Sequence, residues 1–340
     1  MHTVTLIPGD GIGPEISEAA VKVIEATGVS IQWDRQIAGM AALDQFGTPL
    51  PEETIESFRR NKVALKAPLT TPVGGGYRSV NVTLRQTFDL FANVRPALSF
   101  EGIEVPYHNV NLVTVRENTE GLYAGVEHFI NAEGRPIAAE SITVVTRAGC
   151  ERIIEYAFRY ARQAGRKKVT VVHKANILKC TSGMFLEIGR EVAQRYPDIE
   201  FDDRIVDACA MQMVMDPSQF DVIVTTNLFG DILSDLASGL VGGLGLTAGA
   251  NIGREAAMFE AVHGSAPDIA GKGIANPSAL IMAGVMMLEH LGEQTAARKI
   301  EQAVRAVIRE GRHVTPDLKP GSSCTTQEMA DAIVAKIQAG

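Results

Sequence analysis

The stretch Asn227-Leu-Phe-Gly-Asp-Ile-Leu-Ser-Asp235 sets two carboxylates four residues apart, just after a β-branched run, Asp221-Val-Ile-Val-Thr225, that reads as a strand. Phe229, Ile232, Leu233, Leu236, Ala237 and Leu240 recur at helical spacing and leave Asp231, Ser234, Asp235 and Ser238 on the opposite stripe. Asp231 and Asp235 therefore point the same way, and at the carboxyl end of a strand in an open α/β sheet their oxygens suit a hard divalent cation. Taken alone, the spacing fits equally well an N-cap at Asp231 and a first-turn acid at Asp235. Three arginines, Arg85, Arg95 and Arg116, follow Ser79 and Asn81. Guanidinium forks bind carboxylates bidentately and stay ionised, so this set suits a small substrate with several carboxylates, Ser79 and Asn81 supplying neutral donors. Arginines solvated on separate elements would leave the same pattern. Lys174 follows the strand Val169-Thr-Val-Val172 and His173, where an open sheet places its chemistry, although a surface lysine beside a structural histidine satisfies the pattern too. Asp207 adds an acid ahead of a Met-rich segment ending at Met215. In His263-Gly-Ser-Ala-Pro-Asp-Ile-Ala-Gly-Lys272, Asp268 can accept hydrogen bonds from the hydroxyls of an adenine ribose and would repel a 2′-phosphate.

These residues need elements to hold them. The chain opens on a strand, Thr3-Val-Thr-Leu-Ile7, which leaves no room for a signal peptide, and runs through Pro8-Gly-Asp-Gly-Ile-Gly-Pro14 into a helical period from Glu15 to Ile24. This glycine-rich turn departs from a dinucleotide fingerprint: Pro14 stands where the third glycine should close, and no ribose acid follows, so it is discounted as a phosphate site. A helix and the strand Val63-Ala-Leu-Lys-Ala67 precede a permissive loop, Leu69 to Gly76, of the kind that lies over a ligand. Glu127 to Thr146 holds two extended runs around Asn131-Ala-Glu-Gly134, a hairpin that reads as an arm reaching a partner subunit. Gly149 to Ala164, Glu293 to Arg309 and Thr326 to Ile337 are helical, and the apolar run Ala279 to Leu288 is a buried or interface helix too short to span a bilayer.

The 340 residues, 46% hydrophobic and 21% charged, provide apolar material for two domains. With 32 basic against 40 acidic residues, few aromatics and no basic run beyond Arg166-Lys-Lys168, the composition argues against a nucleic-acid groove. Cys150, Cys180, Cys209 and Cys324 lack metal-site spacing and point to reduced thiols in a cytoplasmic setting.

Three long motifs in order, Ile7 to Glu15, Asn227 to Asp235 and His263 to Gly271, resemble the decarboxylating β-hydroxyacid dehydrogenases, the isocitrate, homoisocitrate, isopropylmalate and tartrate enzymes. The loop Thr70 to Arg85, with Leu90 to Pro96 and Arg116 to Tyr123, resembles the NAD-dependent isocitrate branch. That resemblance implies an α/β, isopropylmalate dehydrogenase-like fold with a long mixed sheet rather than a Rossmann fold. It implies a cofactor domain over 1–98 and 250–340, and a smaller one over 99–249 carrying the dimer helices and the arm at 127–146. It further implies NAD-dependent decarboxylation of isocitrate with Mg²⁺ or Mn²⁺, in a homodimer or higher homo-oligomer with shared active sites. Ser79, Asn81, Arg85, Arg95 and Arg116 match substrate contacts; Tyr123 matches the proton donor. Lys174 matches a base and Asp207 a metal ligand, both supplied by the neighbouring chain, while Asp231 and Asp235 match the home chain's ligands. Thr70, His263, Gly264, Ala266, Asp268, Ile269 and Asn276 match cofactor contacts, with Asp268 and Ile269 standing where NADP-preferring relatives place a Lys and a Tyr. Homoisocitrate and 3-isopropylmalate are the alternative substrates. A non-catalytic subunit of a hetero-oligomer is the alternative from another class.

Overall fold

In the computed structural model, which describes residues 1–72, 77 and 79–339, the opening apolar run forms strand β1 (His2–Ile7), buried from Val4 onward. Next come α1 (Gly13–Glu25), β2 (Ile31–Arg35), α2 (Met40–Phe46), α3 (Glu52–Asn61), β3 (Val63–Lys66) and α4 (Val80–Thr87). A middle stretch holds β4 (Ala92–Leu98), β5 (Asn111–Glu117), the arm strands β6 (Glu127–Ala132) and β7 (Arg135–Ser141), then α5 (Arg147–Gln163), β8 (Lys168–His173) and α6 (Thr181–Ala193). It continues through β9 (Glu200–Ile205), α7 (Val206–Met215), β10 (Val222–Thr225) and α8 (Asn227–Leu240). The chain ends with β11 (Ala248–Ile252), β12 (Ala257–Ala261), α9 (Ser278–His290), α10 (Gln294–Glu310) and α11 (Thr326–Ala339). Two units result: Met1–Leu90 with Leu98–Val110 and Ser238–Gly340, and Phe91–Ala97 with Asn111–Ala237. Positions 73–76 of the expected ligand loop lie outside the described residues.

In the first unit the strand order is β2-β1-β3-β12-β11, parallel except for the antiparallel β11–β12 pair, so the expected α/β class and mixed sheet are found. Helix α9 is apolar on every face, and Ser278 through Val285, Met287 and Leu288 are all buried among α1, α10, β11 and β12. It is therefore a core helix, and the alternative of an interface helix falls. The glycine turn packs inside this unit as well: Gly11 sits at φ +59, and a Cβ there would lie 1.9 Å from the Ser265 carbonyl oxygen.

In the second unit the order is β4-β5-β10-β8-β9, with β10 parallel to β5 and β8, and β8 parallel to β9. β8 and β10 are buried along nearly their whole length because α5 covers both and α6 covers β8, as parallel strands in a covered sheet are. The register sets Thr225 opposite both Arg116 and Val172. Arg116, Lys174, Asp207 and the Asn227–Asp235 motif thus all sit at or just past the carboxyl ends of neighbouring parallel strands. The arm is an antiparallel pair turned by Glu133 and Gly134, both at positive φ as a tight hairpin turn demands, and its residues are exposed. Among the described residues no helix is long and apolar enough to cross a membrane.

Candidate active site

Helix α8 starts at Asn227, one turn earlier than an N-cap at Asp231 would need, so Asp231 lies within the helix and does not cap it. It takes Arg116 Nη1, and its second oxygen accepts from the Tyr123 hydroxyl at 2.7 Å. Arg95, arriving on β4, donates to Asp235 at 3.1 Å and to Ser234 Oγ at 2.7 Å, and lies 3.7 Å from Asp231. Arg95, Arg116, Tyr123, Asp231 and Asp235 are thereby drawn into one constellation of two cations, two carboxylates and a phenol. The expected polar stripe needs correcting: Ser234 and Ser238 are buried while Ile232 is 58% exposed. The reason is Arg95, whose buried guanidinium claims Ser234 as an acceptor and draws that helix face inward.

The electrostatics of this group follow from burial. Desolvation raises the Tyr123 phenol above its usual 10, and its hydrogen bond to Asp231 adds to the rise, so the group stays protonated at neutral pH. Burial likewise raises Asp235; Arg95 partly offsets this, and the like charge of Asp231 adds to it. The two carboxylates remain accessible, at 35% and 52% side-chain exposure.

Lys174, just past β8, and Asp207, at the start of α7, form an ion pair with each other, which lowers the Asp207 carboxyl. His173 is structural: its Nδ1 accepts from Ala175 N at 3.1 Å and its Nε2 donates to Asp203 at 3.2 Å. Among the described residues no three His, Cys, Asp or Glu side chains gather as a metal site, so Asp207 does not join Asp231 and Asp235 within the chain.

In the first unit, Ser79 precedes α4, and its carbonyl accepts from Thr83 N at 3.0 Å. Asn81 Oδ1 and Arg85 Nε are buried without a hydrogen-bond partner among the described residues. Arg85 Nη2 donates to Glu260 at 3.0 Å, Asn251 to the same oxygen at 2.7 Å, and Lys66 to the other at 2.8 Å. Glu260 is 5% exposed, and burial alone would neutralise it, but the Lys66 and Arg85 charges outweigh that and hold its carboxyl well below the ordinary range. Neither Lys66 nor Glu260 is singled out by motif reading. The available signal is an ionisable residue inside each of two apolar strands, Val63-Ala-Leu-Lys66 and Ala257-Met-Phe-Glu-Ala261, which the register pairs directly.

The expected cofactor residues also lie in this unit. Thr70 N donates to Asp10 at 2.8 Å and its hydroxyl bonds Ser265 at 2.8 Å, tying the two loops together. His263 Nδ1 donates to the Gly264 carbonyl at 2.9 Å, which leaves Nε2 an acceptor, buried and unpartnered among the described residues; burial lowers its pKa and keeps the ring neutral. Ala266 takes φ +40, and its carbonyl accepts from Ile269 N at 3.2 Å, turning the loop so that Asp268 is exposed. Asn276 Oδ1 accepts from Ser278 N at 2.9 Å, at the start of α9, and its Nδ2 donates to Asp317 at 3.0 Å.

A model of the isocitrate/isopropylmalate dehydrogenase family matches residues 3–333. The sequence is 52% identical over 328 residues to isocitrate dehydrogenase [NAD] subunit alpha, mitochondrial, of Bos taurus, covering 96% of this chain and 88% of that protein. It is 50% identical over 332 residues to isocitrate dehydrogenase [NAD] catalytic subunit 5, mitochondrial, of Arabidopsis thaliana, covering 97% and 87%. Among solved structures, the crystal structure of isocitrate dehydrogenase from Methylococcus capsulatus superposes with a TM-score of 0.98 at 74% identity, over 99% of this chain and 100% of that one.

Proposed function

This chain belongs to the isocitrate/isopropylmalate dehydrogenase family, and from that premise we propose that it oxidatively decarboxylates isocitrate to 2-oxoglutarate and carbon dioxide with NAD and Mg²⁺ or Mn²⁺. The observation that carries the site assignment is the convergence of Arg95, Arg116, Tyr123, Asp231 and Asp235. Two accessible carboxylates one helical turn apart, each raising the other's cost of ionisation, fit a divalent cation, and Asp231 and Asp235 would hold it. When bound, such an ion supplies Lewis acidity at the substrate's C2 oxygen. The unpartnered acceptor His263 Nε2 fits the amino group of an adenine, and exposed Asp268 fits ribose hydroxyls, as NAD presents them.

In this assignment Arg85, Arg95 and Arg116 bind the substrate carboxylates, with Ser79 and Asn81 alongside. A bound nicotinamide would supply the acceptor for the C2 hydride, and Lys174 takes the C2 hydroxyl proton. The resulting β-keto acid loses its C3 carboxylate as carbon dioxide, and Tyr123, protonated throughout the neutral range, returns a proton to C3.

Lys174 and Asp207 act from a second copy of the chain in a homodimer. What supports this is their mutual ion pair, away from any three-ligand group, and the apolar surface the second unit leaves open: Phe129 and Ile137 on the arm, Met211 and Met215 on α7, and Ile232 on α8. A cytoplasmic setting is part of the same proposal and rests on four free cysteines.

The test compares kcat/KM for isocitrate, homoisocitrate and isopropylmalate, each with NAD and NADP. Isocitrate with NAD should win, and a higher value for homoisocitrate, or equal values for the two cofactors, would refute the corresponding part. For the shared site, Lys174→Met and Tyr123→Phe chains are refolded together. Restored activity well above either parent is expected, because a mixed dimer gathers both lesions in one site. Verified hybrids with no recovery would place both residues in one chain's site.

A further inference from the structure

We propose that Asn227 and Gly230 are positioning residues that clamp Arg116, and that Asn-x-x-Gly-Asp at 227–231 is a single arginine-holding device. Asn227 is buried at the first position of α8, and its Oδ1 accepts from Arg116 Nε at 3.0 Å and from Nη2 at 2.7 Å. Its Nδ2 donates to the Glu120 carbonyl at 3.0 Å, which fixes which end of the amide faces the guanidinium. Gly230 is where the arginine's stem crosses the helix: a Cβ there would lie 2.6 Å from Arg116 Cγ and 2.7 Å from its Cβ. Asp231, one residue on, takes Nη1.

Positions i, i+3 and i+4 fall on one helix face, so the first turn of α8 offers an acceptor for one edge of the guanidinium, a gap for its stem and a carboxylate for the remaining nitrogen. A buried arginine stem with several rotatable bonds would otherwise be free to swing further onto Asp231, competing for the very oxygens that the proposed cation needs. Asn227 holds the Nε and Nη2 edge of the fork with a neutral acceptor, so that Asp231 is the carboxylate of this turn on the guanidinium.

The inference rests on Arg116 binding a substrate carboxylate, and one variant separates the two. Arg116→Lys should raise KM for isocitrate; if it does not, the role given to Arg116 fails, whatever Asn227 does. With that established, Asn227→Ala should lower kcat/KM for isocitrate about 10–100-fold, mainly through KM, as loss of an outer partner of a ligand-holding group does, while KM for NAD stays within about twofold. Gly230→Ala removes no polar group, but its Cβ would press on the buried Arg116 stem, so its melting temperature is measured first, and the folded variant should raise the same KM by displacing the stem. Should Arg116→Lys raise the isocitrate KM while Gly230→Ala, or a folded Asn227→Ala, leaves it within twofold, the clamp is refuted and Asn227 is merely a helix-start residue.

Discussion

Each unit contains a carboxylate set among arginines, and the two are driven in opposite directions. In the first, one acid, Glu260, faces two cations, Lys66 and Arg85, in a sealed core, and its carboxyl is held far down despite complete burial. In the second, two acids face two arginines at an open surface, and Asp235 is pushed up although Arg95 touches it. Counting of charge explains the difference: Glu260 has no like-charged neighbour and two partners, whereas Asp235 shares Arg95 with Asp231. A sealed set with cations in excess suits an anionic group presented to Arg85. An open set with paired acids suits a cation. Oppositely charged ligand groups thus find complementary fields, each built from carboxylates and arginine.

If the open constellation is chemical and the sealed one supporting, damage to them should read out differently. The largest effect is expected for Tyr123→Phe: kcat falls about 10²–10⁴-fold through loss of the proton donor, with the melting temperature nearly unchanged. Steady-state kinetics and calorimetry on one preparation check it, and a loss of less than tenfold would remove Tyr123 from the chemistry. Next comes Glu260→Gln, which leaves Lys66 and Arg85 buried together without their counter-charge and should cost about 3–5 kcal/mol of stability. The sign with pH follows: because the folded carboxyl is held below its ordinary 4.5, its contribution is complete above that pH and is lost as pH falls through the lower, folded value. Denaturant melts at pH 7 that coincide for variant and parent would show that the sealed triad carries no such load.

The same contrast explains what could be seen in the sequence. Strands β1, β8 and β10, the hairpin, the core of α1 and the late helices were legible because periodicity and turn residues are local signals. The acids of α8 are legible as a pair, yet the helix start is not, since Asp231 fits an N-cap by residue type while the helix begins at Asn227, whose side chain accepts from Arg116. Ser234 and Ser238 read as a solvent stripe because their small polar side chains carry no mark of a buried Arg95 beside them. Glu260 and Lys66 lay in runs too short and apolar to stand out, and only strand register, a long-range property, brings them together. The exposed apolar residues of α7, α8 and the arm mark where a single chain's sequence stops explaining itself.

The smallest expected effect bears most directly on the contrast. Asp235 has a raised folded carboxyl, so folding favours its protonated form; the stability this group supplies is present below its ordinary 3.8 and is lost as pH rises through the folded value. At neutral pH the ionised side chain therefore works against the fold, and a neutral isostere should relieve it. Half of the side chain is exposed, so solvent screens most of the gain. In metal-free buffer with a chelator, Asp235→Asn should melt no more than about 1–2 °C above the parent at pH 7, and the difference should vanish below pH 3.8, where both are neutral. Added Mn²⁺ should reverse the order, raising the parent's melting temperature more than the variant's, because only the parent keeps both acids for the ion. A lower melting temperature for the metal-free variant at pH 7 would mean that the Arg95 pair outweighs burial and the neighbouring charge. The open acids would then be stabilising like Glu260, and the contrast between the two constellations would collapse to one of exposure alone.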